Sequence, residues 1–412
     1  MSTAAITVEH RSLSLRREGA LLYLAVSLLA AAPFYTATLL IKPNRIAAGE
    51  AFGLWQLSPL LTLLLSGTVG ILALLALAGE LTPPRTLAAA MLLLAVLLGS
   101  LLQGGEILGQ RDYQYGRISP TSGFWLLLLA VYILFNRVYH SGQSRTMRIG
   151  SLLIPVVLLT IFALLGGFSG AAVTMELKSR TEKFLFEIGR HLSLSFSAVG
   201  LATLIGIPAA VAANRMKSLR DPIFTLVNGI QTIPSLALFG LMLAPLAALS
   251  RSFPILREVG ISGIGNAPAL IALTLYSLLP ITRNTFTGLS IISPAIREAG
   301  CGMGMNRRQL LRTIEVPLAL PIILTGLRIS LVQCIGNTTV AALIGAGGLG
   351  TFVFQGLGQA APDLIVAGVL PIIILSIAVD RGMLFLTALA TPRGLRAASA
   401  SEQSPGERSN HG

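Results

Sequence analysis

The sequence predicts an all-α integral membrane protein of about ten transmembrane helices, and three observations predict it. Of its 412 residues 53% are hydrophobic and 11% charged, with a mean hydropathy of +0.77, whereas a soluble domain carries about a quarter of its residues as charges. The apolar residues fall in long runs, and roughly 20 such residues cross a bilayer core as a helix. The basic residues behind the formal net charge of +13 sit in the short gaps between the runs. They form no patch with interleaved aromatics, which argues against a nucleic-acid partner.

The first run, 20–41, follows Arg16 and Arg17. It exceeds a signal-peptide core and lacks a small-x-small exit, so it reads as an uncleaved first span. Runs at 54–79, 86–103, 123–136 and 149–168 complete an N-terminal membrane block, 1–185. A second membrane segment, 186–390, holds runs at 191–213, 223–249, 267–288, 318–344 and 361–390. The end, 391–412, is small and polar and reads as a disordered cytoplasmic tail.

Orientation follows from the Lys/Arg bias of the connections. A cytoplasmic N terminus puts Arg137, Arg145 and Arg148, then Arg215, Lys217 and Arg220, then Arg297, Arg307, Arg308 and Arg312 inside, with the C terminus also inside. The connection 175–190 fits poorly, with four basic residues on the outer side, and reads as an amphipathic surface segment joining the two halves. Cys301 and Cys334 are the only cysteines and make no CxxC or metal pattern, so both are assigned to packing.

One inside connection is built rather than merely polar. In "EAGCGMGMNRRQLLRTIEVPLALP", 298–321, the preceding Ser293 offers an N-cap and Pro294 a first helical position. They start a short helix through Glu298, Ala299 and Gly300, which "CGMGM" breaks. Asn306 can cap a second helix with Gln309 as capping-box partner, and Pro317 ends or kinks it before the next span. Two short helices meet at a glycine elbow, where small residues admit another backbone.

The spacing of Glu298, Ala299 and Gly300, then Gly304, then Ile314, Val316 and Pro317 resembles the EAA loop of permease subunits in bacterial ABC importers. Gly300 replaces the usual second alanine, and Val316 stands where leucine is common. "HLSLSFSAVGLATLIGIPAAVAANR" (191–215), "IQTIPSLALFGLM" (230–242), "ALTLYSLLPITRNTFTGL" (272–289) and "NTTVAALIGAGGLG" (337–350) resemble the same superfamily. They are most similar to permeases of glycine-betaine, choline and carnitine importers.

The resemblance implies a five-helix type I ABC importer permease core within 186–390. Its EAA loop, 294–317, would dock on a cytoplasmic ATPase through Glu298, Ala299, Gly300, Gly304, Arg307, Ile314 and Pro317. ATP and Mg would belong to that partner, leaving no cofactor, metal or catalytic residue here. A second permease copy or paralogue and a periplasmic or lipid-anchored solute-binding protein would complete an importer of the bacterial inner membrane. The residues agree by absence: there is no G-x-x-x-x-G-K-[ST] phosphate loop, nor any Gly-Lys dipeptide.

Plainer readings stand beside these. Arg307, Arg308 and Arg312 also serve to hold the loop inside, and Glu298 also reads as a solvated helix residue. Gln231, Thr232, Pro234, Asn337, Thr338 and Thr339 are the candidate translocation path, being polar or proline at membrane depth; such polar groups also make interhelical hydrogen bonds. "GAGGLG", 345–350, lacks the strand-turn-helix setting of a nucleotide loop and reads as a tight outer loop that repacks during gating. Asp380 and Arg381 are expected near the inner end of the last span, paired with one another or placed at the interface.

Alternatives of other kinds are an importer permease for another small solute such as an amino acid, a secondary transporter, and a membrane enzyme. The spans hold almost no acidic residues for ion coupling, and the four histidines, with His10 and His411 in the tails, form no catalytic constellation.

Overall fold

The computed structural model describes residues 22–391 except 46, 80, 112, 114, 142, 143 and 259. Arg16, Arg17, the start of the first run and nearly all of the tail expected at 391–412 lie outside these described residues. The chain divides into two compact units, Met1–Ser179 and Arg180–Gly412.

In the first unit α1 (Leu22–Tyr35) stops well short of residue 41. Thr36 turns the backbone extended, and the chain enters β1 (Leu39–Lys42), which pairs antiparallel with β2 (Glu50–Phe52) and with β3 (Arg117–Pro120). The strand order is β2-β1-β3, with Leu39 opposite both Phe52 and Pro120. This small sheet corrects the expectation of a single span over 20–41, because a short apolar run has the same hydropathy whether strand or helix.

Four membrane-length helices follow from this sheet: α2 (Pro59–Ala78), α3 (Pro83–Gln110), α4 (Ser122–His140) and α5 (Arg145–Leu164). The start of α2 has Pro59 in its first turn and the Ser58 hydroxyl accepting from Leu61 N, and its end has Gly79 at φ +69°. Leu93, Leu97, Leu127 and Leu134 are sealed in this unit's core.

The segment expected to lie on the outer surface, 175–190, is not one element. Its first part belongs to α6 (Ala172–Ser179), where the buried Glu176 carboxylate accepts from Arg117 Nη1 at 2.7 Å and sits 3.4 Å from Arg45 Nε. Its second part opens α7 (Thr181–Arg215), the first long helix of the second unit.

The run expected as one span at 223–249 is cut into α8 (Lys217–Thr232) and α9 (Ser235–Ser252). Pro234 forces its predecessor out of the helical region, and Ile233 is extended at ψ 126°. The centre of the unit is α10 (Asn266–Ser290), packed between α7 and the long helix α13 (Val316–Ala341).

Small residues set these distances. A Cβ on Gly326 would stand 2.8 Å from Pro280 O, and one on Gly288 3.1 Å from Ala319 O. Close backbone approach of this kind replaces the hydrophobic effect, which is absent between helices in lipid. After α13 come α14 (Gly350–Gly358) and α15 (Pro362–Ala390), which packs on both.

Among the described residues eight helices are long and apolar enough to cross a membrane: α2 to α5, α7, α9, the continuous Arg307–Ile344 and α15. The 25-residue α10 and the shorter α1 bring the apolar helices to about ten. The protein is a helical membrane protein with, among the described residues, one small sheet.

Candidate functional site

The elbow follows α10 directly. Ser293 adopts the extended N-cap backbone (φ −61°, ψ 145°), but its hydroxyl makes no capping bond, and Pro294 opens the helix α11 (Pro294–Gly302). Glu298 and Ala299 are exposed on α11, and Glu298 has no protein partner among the described residues. Gly300 is buried on the opposite face, where a Cβ would come within 2.6 Å of Leu310 Cδ1 and 3.1 Å of Ile314 Cδ1. Glycine in place of the usual alanine thus lets the two arms of the elbow close on each other.

The turn is held by Met303 N to Ala299 O (3.0 Å), Gly304 N to Cys301 O (2.9 Å) and Met305 N to Gly300 O (3.2 Å), with Gly304 at φ +79°. Asn306 then caps the next helix through its side-chain oxygen, which accepts from Arg308 N and Gln309 N, while Gln309 Oε1 accepts from Asn306 N at 2.9 Å. The capping box reads as its sequence does. Arg307 and Arg308 are exposed on α12 (Arg307–Leu310).

Pro317 does not end that helix. The chain widens into a π turn over Leu311–Glu315, with Val316 N bonding Leu311 O, and runs on as α13. The wider turn just ahead of Pro317 accommodates the ring and the bond it cannot make. The half-buried Ile314 lies on this turn and faces Gly300.

The residue that locks the elbow went unremarked in the sequence. Glu315, 1% exposed, accepts from Arg297 Nε at 2.8 Å through Oε1 and from Arg215 Nη2 at 2.5 Å through Oε2. Arg297 Nη2 also donates to Leu289 O at 2.6 Å. Glu315 therefore ties Arg297 of the exposed helix α11 to the end of α7 and the start of α13, and Arg297 in turn ties α11 to the end of α10. Arg215 and Arg297 had served only as topological charges; the available signal was a lone acid set among basic residues directly before an apolar run.

The candidate path residues fall into two groups. Gln231 Nε2 donates to Tyr276 O at 2.6 Å, and the Tyr276 hydroxyl donates to Ile233 O, so the chain just before Pro234 is tied to α10 by two bonds. Thr232 is exposed and, among the described residues, bonds only Gly229 O in its own helix. Thr338 is buried, exchanging a hydrogen bond with Ser195 at 2.8 Å. Asn337 and Thr339 are half-buried.

These groups stand at different levels. Ser330 of α13 reaches Ser277 O on α10 beside Tyr276, so Asn337–Thr339 lie about two turns, or about 11 Å, further along the helix.

The glycine loop is tied down more firmly than its composition suggests. Gly345, Gly347 and Gly348 have φ of +79°, +74° and +84°. Gly348 N donates to Glu187 Oε2 at 2.5 Å, and Leu349 N to His191 Nδ1 at 3.3 Å, while His191 Nε2 donates to Ile335 O at 3.0 Å. Asp380 also departs from expectation: its partner is Arg328 of α13 at 2.5 Å, not Arg381. Adjacent residues in a helix diverge by about 100°, whereas the neighbouring helix offers its charge directly.

A bundle of apolar helices carries an exposed elbow that turns on Gly304, the arrangement of a multi-pass membrane protein. Residues 202–393 match the family described as binding-protein-dependent transport system inner membrane component, and residues 16–173 match the ABC transporter permease YehY, N-terminal domain. The glycine betaine/carnitine/choline transport system permease protein of Bacillus subtilis is 37% identical over 53% of this chain and 94% of its own length. The osmoprotectant import permease protein of Salmonella typhimurium is 44% identical over 50% of this chain and 91% of its own. A chain of the methionine ABC transporter MetNI, solved in inward-facing conformations, aligns with 52% of this chain and 99% of its own at TM-score 0.45 and 22% identity. The chain belongs to the permease family of binding-protein-dependent ABC transport systems.

Proposed function

We propose that this chain is the membrane-spanning permease subunit of an ATP-driven importer for a small quaternary-amine osmoprotectant such as glycine betaine, choline or carnitine. A separate cytoplasmic ATPase grips the elbow at Glu298, Ala299, Gly304 and Arg307, and its closure on ATP rocks the helices between outward and inward access. A solute-binding protein delivers the solute from outside, and a second permease copy or paralogue completes the pathway. The chain lies in the bacterial inner membrane with both termini and the elbow in the cytoplasm.

The observation that carries this reading is the tie through Glu315 and Arg297, which joins an exposed helix to three membrane helices and so can transmit a pull. The solute class is supported by what the relatives' names say they carry.

Uptake of radiolabelled glycine betaine into vesicles containing this chain and its co-purifying subunits tests both parts. Accumulation is expected only with ATP and the matching receptor. Association with an ATPase and a receptor, yet no betaine uptake, would remove the solute and leave the machine. Accumulation without any ATPase would remove the role given to the elbow.

A further inference from the structure

Two long apolar helices of the second unit, α13 and α15, hold a pair of opposite charges that the elbow does not use. Arg328 stands at the middle of α13, about 18 Å from either end, and Asp380 stands about 15 Å before the end of α15. Arg328 Nε donates to Asp380 Oδ1 at 2.5 Å.

Two features separate the pair from a structural tie. Its side chains remain 32% and 26% exposed, where ionised groups inside a membrane otherwise face the protein interior or a watery cavity. The contact is also single, although guanidinium and carboxylate commonly pair through two parallel bonds. The terminal Nη1 and Nη2 of Arg328 and the Oδ2 of Asp380 have no protein partner among the described residues. Three charge-bearing atoms on two partly exposed side chains thus lie without a protein partner among the described residues, about midway along α13. By contrast, Glu315 at the elbow has both oxygens engaged and is sealed.

We propose that the pair of Arg328 and Asp380 is a translocation subsite for a zwitterion bearing a quaternary ammonium and a carboxylate. The Nη atoms of Arg328 take the carboxylate in a forked hydrogen bond, the geometry guanidinium is built for. Oδ2 of Asp380 faces the ammonium, which has no N–H to donate and is attracted by charge alone. A betaine carries its two charges about one methylene apart, so it spans neighbouring side chains of opposite sign. Choline offers no carboxylate, gains nothing from Arg328 and is repelled by it. This assignment rests on the reading of the chain as a quaternary-amine permease.

The test uses the whole reconstituted complex with saturating receptor, comparing wild type, Arg328→Gln and Asp380→Asn. ATP-dependent uptake of labelled glycine betaine and of choline is measured, together with receptor-stimulated ATP hydrolysis. Arg328→Gln is expected to lower betaine uptake about tenfold or more while choline uptake holds or rises, because the variant loses a charge-assisted fork to one solute and a repulsion to the other. Asp380→Asn is expected to lower uptake of both solutes with ATP hydrolysis preserved.

A uniform fall in betaine uptake, choline uptake and ATP hydrolysis would overturn the proposal and make the pair a packing tie or a contact with the second permease. Unchanged uptake in both variants would overturn it equally. Wild-type complex that hydrolyses ATP with receptor yet accumulates neither solute would instead bring down the underlying solute reading.

Discussion

Glu315 accepts from Arg297 at 2.8 Å, so the last residue before the membrane helix α13 is bonded to the exposed elbow helix eighteen positions earlier. Removing the carboxylate leaves two guanidinium groups facing each other across its site, each side chain about a third exposed at 33% and 31%. Water recovers part of that loss, so Glu315→Ala is expected to destabilise the purified protein by about 2 kcal/mol, below the figure for a fully sealed pair. Thermal unfolding in detergent checks it. A cycle with Arg297→Ala should be non-additive, because both changes remove one bond.

The elbow turn gives a second prediction. Gly304 has φ +79° with open space around its Cα, so any loss on substitution comes from backbone strain and not from a clash. Gly304→Ala is expected to cost about 1 kcal/mol, and Gly304→Val more, with weaker retention of the ATPase on purification. Gly302→Ala is the control: its surroundings are equally open and its φ is not positive, so retention and stability should hold.

Glu298 separates docking from folding. It is exposed and unpaired among the described residues, so Glu298→Lys should leave thermal stability within about 0.5 kcal/mol. If the ATPase contacts α11 there, reversing the charge should abolish co-purification and ATP-driven uptake. Unchanged co-purification and uptake would remove Glu298 from the docking surface.

The elbow was the most legible part of the chain because its structure is local. Pro294, Gly304, Asn306 and Gln309 act within a few residues of themselves, and the helix start, the turn and the capping box follow from their chemistry, whereas the cap expected of the Ser293 hydroxyl does not form. Pro317 was harder, since a proline can end, kink or widen a helix, and here a π turn absorbs it.

What could not be read was set by partners distant in sequence. Arg215 and Glu315 meet across 100 positions, and Arg328 and Asp380 across 52. The strand β1 was hidden because its burial alternates against Phe52 and Pro120, neither of which its own run contains. The break in 223–249 follows locally from Pro234, but the bond from the Tyr276 hydroxyl to Ile233 O that ties it to α10 spans 43 positions.

The junction of α13 with the glycine loop 345–350 gives the last prediction. Gly350 lies directly against the Thr339 carbonyl, and a Cβ there would overlap that backbone with no flexible side chain to move aside. The loop has little freedom to retreat, because Gly348 N and Leu349 N are bonded to Glu187 and His191 of α7. Gly350→Ala must therefore break those bonds or part α14 from α13, and we expect a loss of about 3 kcal/mol, at the upper end for overpacking. Gly336→Ala, on the same α13 helix with nothing near its Cα, should be neutral or slightly stabilising through helix propensity. Thermal unfolding of the two variants side by side reads the difference. Equal melting temperatures would mean that the loop yields at little cost, and that the polar ties from α7 do not hold it.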